Sequence, residues 1–296
     1  MTTSKNTMAE GSLSGQGTGQ RERQERIRER VIAEGFVRIE QLAEDFSVTL
    51  MTIHRDLDVL QQQGWLRKVR GGATAQPSPL FHGDIRHRMQ AMGDAKDELA
   101  RTALKLIGSG QSVMMDESTT VLHLAKLLPS HGPVTVITHF LQIIKQLGEE
   151  PGIDVIGLGG VYYPAYDAFL GLLTAEAIRS LRSDILFMST TAITEGFCYH
   201  QSQETIMVKR ALMDSTARRV LLVDHSKFSR RGLFQLAPLT DFDLVLIDSA
   251  TSADTLAELH DLGVRVHIAG TESEDGEDLR ALLDGSQPIE GKPSLS

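Results

Sequence analysis

Three observations in the 296-residue sequence predict an α/β protein built in two parts, an N-terminal winged helix-turn-helix followed by a mostly parallel-sheet, Rossmann-like α/β domain. Residues 21–74 carry short apolar periodicities of 3.6 that run into an alternating basic strand. Residues 91–270 carry seven Val/Ile/Leu-rich runs separated by helical stretches, as expected of parallel strands buried on both faces. At roughly 150 residues per domain, the length accommodates two cores.

In the first part Ile27 and Val31 stand at i and i+4, and Gly35 is placed to stop their helix. A second helix fits Ile39 to Phe46, with Leu42, Ala43 and Phe46 on one face. After a tight Ser47-Val48 connection, Thr49 can cap a third helix whose Ile53, Leu57 and Leu60 recur at i, i+4 and i+7 and which ends near Gly64. Trp65 to Arg70 then alternates apolar and basic residues into Gly71-Gly72, the pattern of a strand and turn in a basic wing. Ala75 to Pro79 is a plausible hinge, so 75–90 is expected to be a linker.

The seven runs of the second part are 112–116, 134–138, 153–158, 184–189, 219–224, 243–248 and 264–268. The polar ends, 1–20 and 271–296, are expected to be disordered tails.

Composition narrows the function. The formal net charge is −9, with 41% hydrophobic and 23% charged residues, values of an ordinary folded protein rather than a uniformly basic nucleic-acid coat. Residues 21–72, however, hold ten Lys and Arg against nine Asp and Glu, so the remainder holds the acidic excess. The single Cys198 excludes an internal disulfide and a Cys-based zinc site. Without an 18-residue apolar run, or any hydrophobic stretch in residues 1–20, a cytoplasmic protein with no membrane partner is expected.

A helix-turn-helix that reads DNA must present small polar and hydrogen-bonding side chains to base edges from the first turns of its recognition helix, and cations to phosphates around it. Thr49, Met51, Thr52, His54 and Arg55 are candidates for the first task, and Arg23, Arg38, Arg67, Lys68 and Arg70 for the second. In open α/β sheets ligands bind beyond the carboxyl ends of strands. The candidate ligand residues there are Asp116, Glu117, Ser118, Thr119, Thr120, Thr138, His139, Gly159, Gly160, Ser189, Thr190 and Lys227. Ser118 to Thr120, where a strand gives way to a helix, suit an anion or serve only as helix caps. Asp224, His225 and Ser226 adjoin in sequence, yet neighbours on one strand end point in different directions, which argues against a hydrolase triad.

Arg23, Ile27, Val31 and Thr49, with the run Thr52-Ile53-His54-Arg55-Asp56-Leu57, resemble the helix-turn-helix of the DeoR family of bacterial transcriptional regulators. The wing ending Val69-Arg70-Gly71-Gly72-Ala73 is similar too, with Arg70 where that family usually has His; His54 stands where it more often has Arg. Phe81, Arg86 and Lys96 resemble the family's bridging segment, Asp224 to Phe228 matches its second domain, and the similarity runs to about residue 270. The resemblance implies a sensor domain related to ribose-5-phosphate isomerase and CoA-transferases. It further implies a DNA-binding repressor of a carbohydrate catabolic operon, relieved by a sugar or sugar-phosphate effector and acting as a homodimer or homotetramer. No cofactor, metal or catalytic residue is implied.

Three stretches depart from the family pattern: Asp116-Glu117-Ser118-Thr119-Thr120 for Asp-Ser-Gly-Thr-Thr, Thr138-His139-Phe140 for Thr-Asn-Ser, and Ser189-Thr190-Thr191-Ala192 for a Gly/Ala-Asp-Gly stretch. An unphosphorylated polyol or other sugar derivative is therefore an open alternative as effector. The competing reading is an isomerase-like or transferase-like enzyme carrying a DNA module, with Glu117 or Glu195 as base.

Overall fold

The computed structural model describes residues 14–63, 65–74, 85–270 and 276–284, and the chain splits into two compact units, Met1–Asp84 and Ile85–Ser296. Gly64, Phe81 and the expected hinge at 75–79 lie outside the described residues, as does the side chain of Arg86.

The first unit holds α1 (Ser14–Glu34), β1 (Phe36–Arg38), α2 (Ile39–Asp45), α3 (Leu50–Gln62), β2 (Arg67–Val69) and β3 (Gly72–Thr74). Its three strands pair antiparallel in the order β1-β3-β2. Gly35, at φ +74°, ends α1, and the side chain of Thr49 caps α3 by accepting from the Thr52 N–H. Ile27, Val31, Leu42, Ile53, Leu57 and Leu66 are fully or almost fully buried between these elements. Gly72 permits the closest approach in the wing: a Cβ there would lie 2.3 Å from the Val37 carbonyl oxygen.

The second unit opens with α4 (Ile85–Gln90) and α5 (Gly93–Leu104). Then follow β4 (Ser112–Met115), α6 (Thr119–Ala125), β5 (Val134–Thr138), α7 (Leu141–Leu147), β6 (Ile153–Gly157), β7 (Val161–Tyr163), β8 (Ala168–Leu170) and α8 (Leu172–Arg179). After these come β9 (Ser183–Met188), β10 (Ala192–Thr194), β11 (Phe197–His200), α9 (Gln203–Asp214), β12 (Thr216–Val223) and β13 (Phe234–Pro238). The unit closes with β14 (Leu244–Ile247), α10 (Ala253–Asp261), β15 (Val266–Ile268) and α11 (Gly276–Leu283). All seven expected runs become strands of one parallel sheet ordered β15-β14-β12-β9-β4-β5-β6. Chain order runs outward from β4 in one direction and from β9 in the other, so the sheet reverses between β4 and β9. Two buried clusters sandwich it, one around Val113, Phe140 and Phe187 and the other around Met114, Leu186 and Leu221.

Three boundary expectations are corrected. Helix α1 begins at Ser14, inside the expected N-terminal tail; the sequence has no apolar residue from Ser14 to Arg26, so periodicity marked only the later part. Helix α4 occupies the end of the expected linker and buries Ile85 in the second core. Helix α11 lies in the expected C-terminal tail, where Leu279 and Leu283, an i and i+4 pair too short to stand out, join that core. The pairs β7-β8 and β10-β11, with β13, were not foreseen because segments this short carry little periodicity.

Candidate DNA interface and effector site

Helix α3 divides by face. Ile53, Asp56, Leu57 and Leu60 point inward, while Leu50, Met51, His54, Arg55, Asp58 and Gln61 are exposed. Met51 is 62% exposed beside the exposed Leu50, so the start of α3 presents apolar surface that the fold does not bury. Thr49 and Thr52 are mainly occupied at the cap, their hydroxyls 3.0 Å apart.

Of the expected phosphate cations, Arg38 and Arg70 are exposed and Arg67 is half-buried. Two others are already committed within the fold. Arg23 Nε donates to Asp56 at 2.6 Å, and Asp56, only 1% exposed, also accepts from Gln24 at 2.8 Å. This pair ties α1 to α3, so Arg23, expected at phosphate, also clamps the fold. The Lys68 ammonium lies 2.5 Å from Asp58. Arg28, which no motif singled out, lies over the Trp65 ring at 4.4 Å, and Trp65 is the buried plug beneath the wing.

In the second unit the tails of β9, β4 and β5, three neighbours in the sheet, carry a connected buried network. Asp116, fully buried after β4, accepts from the N–H of Ser118 at 3.0 Å and from the N–H of Ser189, after β9, at 2.9 Å. Lys209, 1% exposed on α9, donates to Asp116 and to the Ser189 carbonyl at 3.1 Å, and stands 3.2 Å from Glu117. The other oxygen of Glu117 lies 3.0 Å from His139 Nε2, at the tail of β5. Burial alone would favour a neutral Glu117, but Lys209 and then His139 outweigh it and hold the carboxyl well below the usual range. Burial likewise opposes the charge of Lys209, and its two carboxylates reverse that, raising its pKa. Sequence reasoning missed Lys209; its signal is a lysine on the buried stripe of α9 between Thr205 and Leu212.

Most of the small polar candidates are engaged by the fold. Ser118 caps α6 by accepting from Val121 N–H at 3.1 Å, which favours the capping reading. Thr119 donates to the Arg88 carbonyl at 3.2 Å, Thr138 to Met115 at 2.8 Å and Thr190 to Tyr199 at 2.9 Å, while Thr120 is buried in the first turn of α6. Gly159 and Gly160 follow the edge strand β6 and shape the turn into β7; a Cβ on Gly160 would fall 2.0 Å from the Thr174 hydroxyl. Gly159 and Gly160 are thus placed apart from the reversal point.

Next along the sheet, beyond β12, Lys227 stands 3.4 Å from the buried Asp224. Burial pushes that carboxyl up, and Lys227 and the Ser226 hydroxyl more than offset it. His225 bonds Asp248 at 2.6 Å, whereas Ser226 donates to Asp224, so the three adjacent residues do not form a relay. Among the described residues no cluster of three or more His, Cys, Asp or Glu is arranged for a metal.

A family profile described as the DeoR C terminal sensor domain matches residues 92–249, and one described as the DeoR-like helix-turn-helix domain matches residues 23–78. The chain belongs to the DeoR family. This DeoR-family chain is a DNA-binding transcriptional regulator with a sensor domain. It is 29% identical over 258 residues to the putative aga operon transcriptional repressor of Escherichia coli O157:H7, covering 86% of this chain and 95% of that one. It is 27% identical over 250 residues to the glycerol-3-phosphate regulon repressor of Escherichia coli (strain K12), covering 84% and 99%. Among solved structures, ribose 5-phosphate isomerase A from Methanocaldococcus jannaschii overlaps 46% of this chain and 54% of its own at 17% identity and a TM-score of 0.34. That overlap is too partial to bear on activity.

Proposed function

We propose that this DeoR-family protein represses a carbohydrate catabolic operon and leaves its operator when a sugar or sugar-phosphate effector occupies the strand tails around Asp116 and Ser189. The observation that carries the reading is the division of α3. Its inner face is sealed against α1 and α2, while Met51, His54 and Arg55 stand exposed at the end that enters a major groove. Arg38 and Arg70 supply phosphate contacts beside them. The two relatives described above are both named as repressors, which supports the sign of regulation.

The second unit acts as a sensor rather than a catalyst. Both oxygens of Glu117 are engaged, and Glu195 sits on the exposed turn between β10 and β11. Neither is a free base for proton transfer. Because one small recognition helix discriminates weakly, two or four copies act on paired half-sites. No described helix is long and apolar enough to cross a membrane, in keeping with action in the cytoplasm.

Gel retardation with the DNA upstream of the protein's own gene, across several salt concentrations, tests the reading. Sequence-specific retardation that a sugar or sugar phosphate reverses is expected. A protein that retards specific and random DNA alike overturns it.

A further inference from the structure

We infer that Leu50 and Met51 read the 5-methyl group of thymine in the operator, so that the first turn of α3 selects bases by apolar contact rather than by hydrogen bonds. The inference rests on the reading of the first unit as a major-groove binder. It adds Leu50, which no motif assigned to DNA, and the kind of base that the pair recognises.

The outer face of α3 is partitioned along its length. Toward its C-terminal end it is tied to the wing: the Lys68 ammonium, on β2, lies 2.5 Å from Asp58, and the Lys68 N–H donates to the Gln61 side chain at 2.7 Å. At its start the polar side chains are committed as well. Thr49 Oγ1 accepts from the Thr52 N–H at 3.2 Å, the two hydroxyls lie 3.0 Å apart, and Thr52 is half-buried. What the first turn leaves to a partner is Leu50, 49% exposed, and Met51, 62% exposed. Residues three and four apart are neighbours on a helix, so both adjoin His54, and Met51 also adjoins Arg55, in one exposed strip.

An exposed apolar pair gains from a partner only where an apolar surface covers it. A protein partner covers about 800 Å² on each side, far more than two side chains at a helix end supply. Their surroundings suit a polyanion instead: no acidic residue stands in the first turn of α3, and Arg38, Arg55 and Arg70 are exposed in the same unit. Duplex DNA matches both features, since its phosphates attract the cations and its major groove displays one apolar group, the thymine methyl. The remaining base edges in that groove offer donors and acceptors, which Leu50 or Met51 would strip of water and leave unpaired. Thymine is therefore favoured at the contacted positions over the other three bases.

The test uses the full-length protein and the duplex that it enriches from a random-sequence library. Each thymine of that duplex is replaced in turn by deoxyuridine, which removes the methyl and keeps every hydrogen-bonding group, and affinity is read by fluorescence anisotropy. At one or more thymines of each half-site the wild type is expected to lose about fourfold in affinity, the contribution of one buried methyl group. Leu50→Ala and Met51→Ala, made singly and together, should keep the wild-type Tm because both side chains are exposed. Each single change should reduce the deoxyuridine penalty, and the double change should abolish it. Arg55→Ala should weaken binding to both duplexes and keep their ratio. A wild type indifferent to deoxyuridine at every thymine, or an equal penalty in the double variant, overturns the inference. So does a double variant that changes oligomeric state while binding both duplexes as the wild type does, which would assign the pair to contact between copies. Enrichment of no sequence refutes the regulator reading and this inference with it, whereas enrichment without a deoxyuridine penalty refutes the inference alone.

Discussion

The Ser189 N–H donates to the Asp116 carboxylate at 2.9 Å, joining β9 to β4 across the point where the order of the seven-stranded sheet reverses. In open α/β sheets that point leaves a crevice at the strand ends, because the flanking connections run off in opposite directions. At these strand tails lies a buried charge network, and its centre is Lys209.

Removing that centre leaves the buried Asp116 and Glu117 without their ammonium partner. Lys209→Met is expected to destabilise the sensor by about 3–5 kcal/mol, the usual cost of breaking a buried ion pair from one side. Urea unfolding followed by circular dichroism checks it. A midpoint unchanged from the wild type would mean that the carboxylates take up protons at no cost to the fold.

Arg55 and Arg23 should separate cleanly. Arg55→Ala removes an exposed cation from the outer face of α3 and is expected to cost about 1–3 kcal/mol of specific operator affinity with Tm unchanged. Arg23→Met strips the buried Asp56 of its charged partner and should cost about 1–3 kcal/mol of stability in the first unit. Fluorescence anisotropy on operator DNA, paired with thermal unfolding, distinguishes them. If Arg23→Met weakens DNA binding at full stability, its role is contact rather than clamp.

Burial, and then the neighbouring Lys227, lower the Lys96 ammonium from 10.5 to about 8. Arg88 and Arg230 push the same way and Asp224 opposes them. The unfolded chain therefore holds this proton more tightly than the folded one. The charged form penalises the fold below about pH 8, and the penalty fades as pH rises from about 8 toward 10.5. Stability is therefore expected to rise with pH between about 8 and 10.5, and Lys96→Met should lack that rise. Urea unfolding of wild type and Lys96→Met at pH values across that window checks it, and an equal pH response in both would refute the assignment to Lys96.

Burial pushes the Cys198 thiol up to about 12, and the residue is fully enclosed. Thiolate is the reactive form, so the native protein should resist a disulfide-exchange reagent at neutral pH and react once unfolded. Stoichiometric labelling before denaturation would show that β11 opens readily.

The head was legible because its determinants are local. Gly35 and Thr49 mark helix ends through their own backbone preferences, and Ile53, Leu57 and Leu60 reveal the inner face of α3 by spacing alone. The seven sheet strands were legible for a similar reason, since a strand buried on both faces must be apolar throughout. The candidate list for the sensor was less discriminating. Ser118, Thr138 and Thr190 stand at strand ends as expected, yet their hydroxyls are bonded into the fold.

What the sequence determined by itself is the family pattern, the two-part architecture and the face of α3 turned to solvent, all of which follow from periodicity and from residues near one another in the chain. Which charges are available to a ligand was decided by the tertiary structure. Arg23 meets Asp56 across 33 residues, and Lys209 meets Asp116 across 93. Coulomb energy depends on distance in space and on the water excluded between charges, and neither quantity is written in the order of the residues.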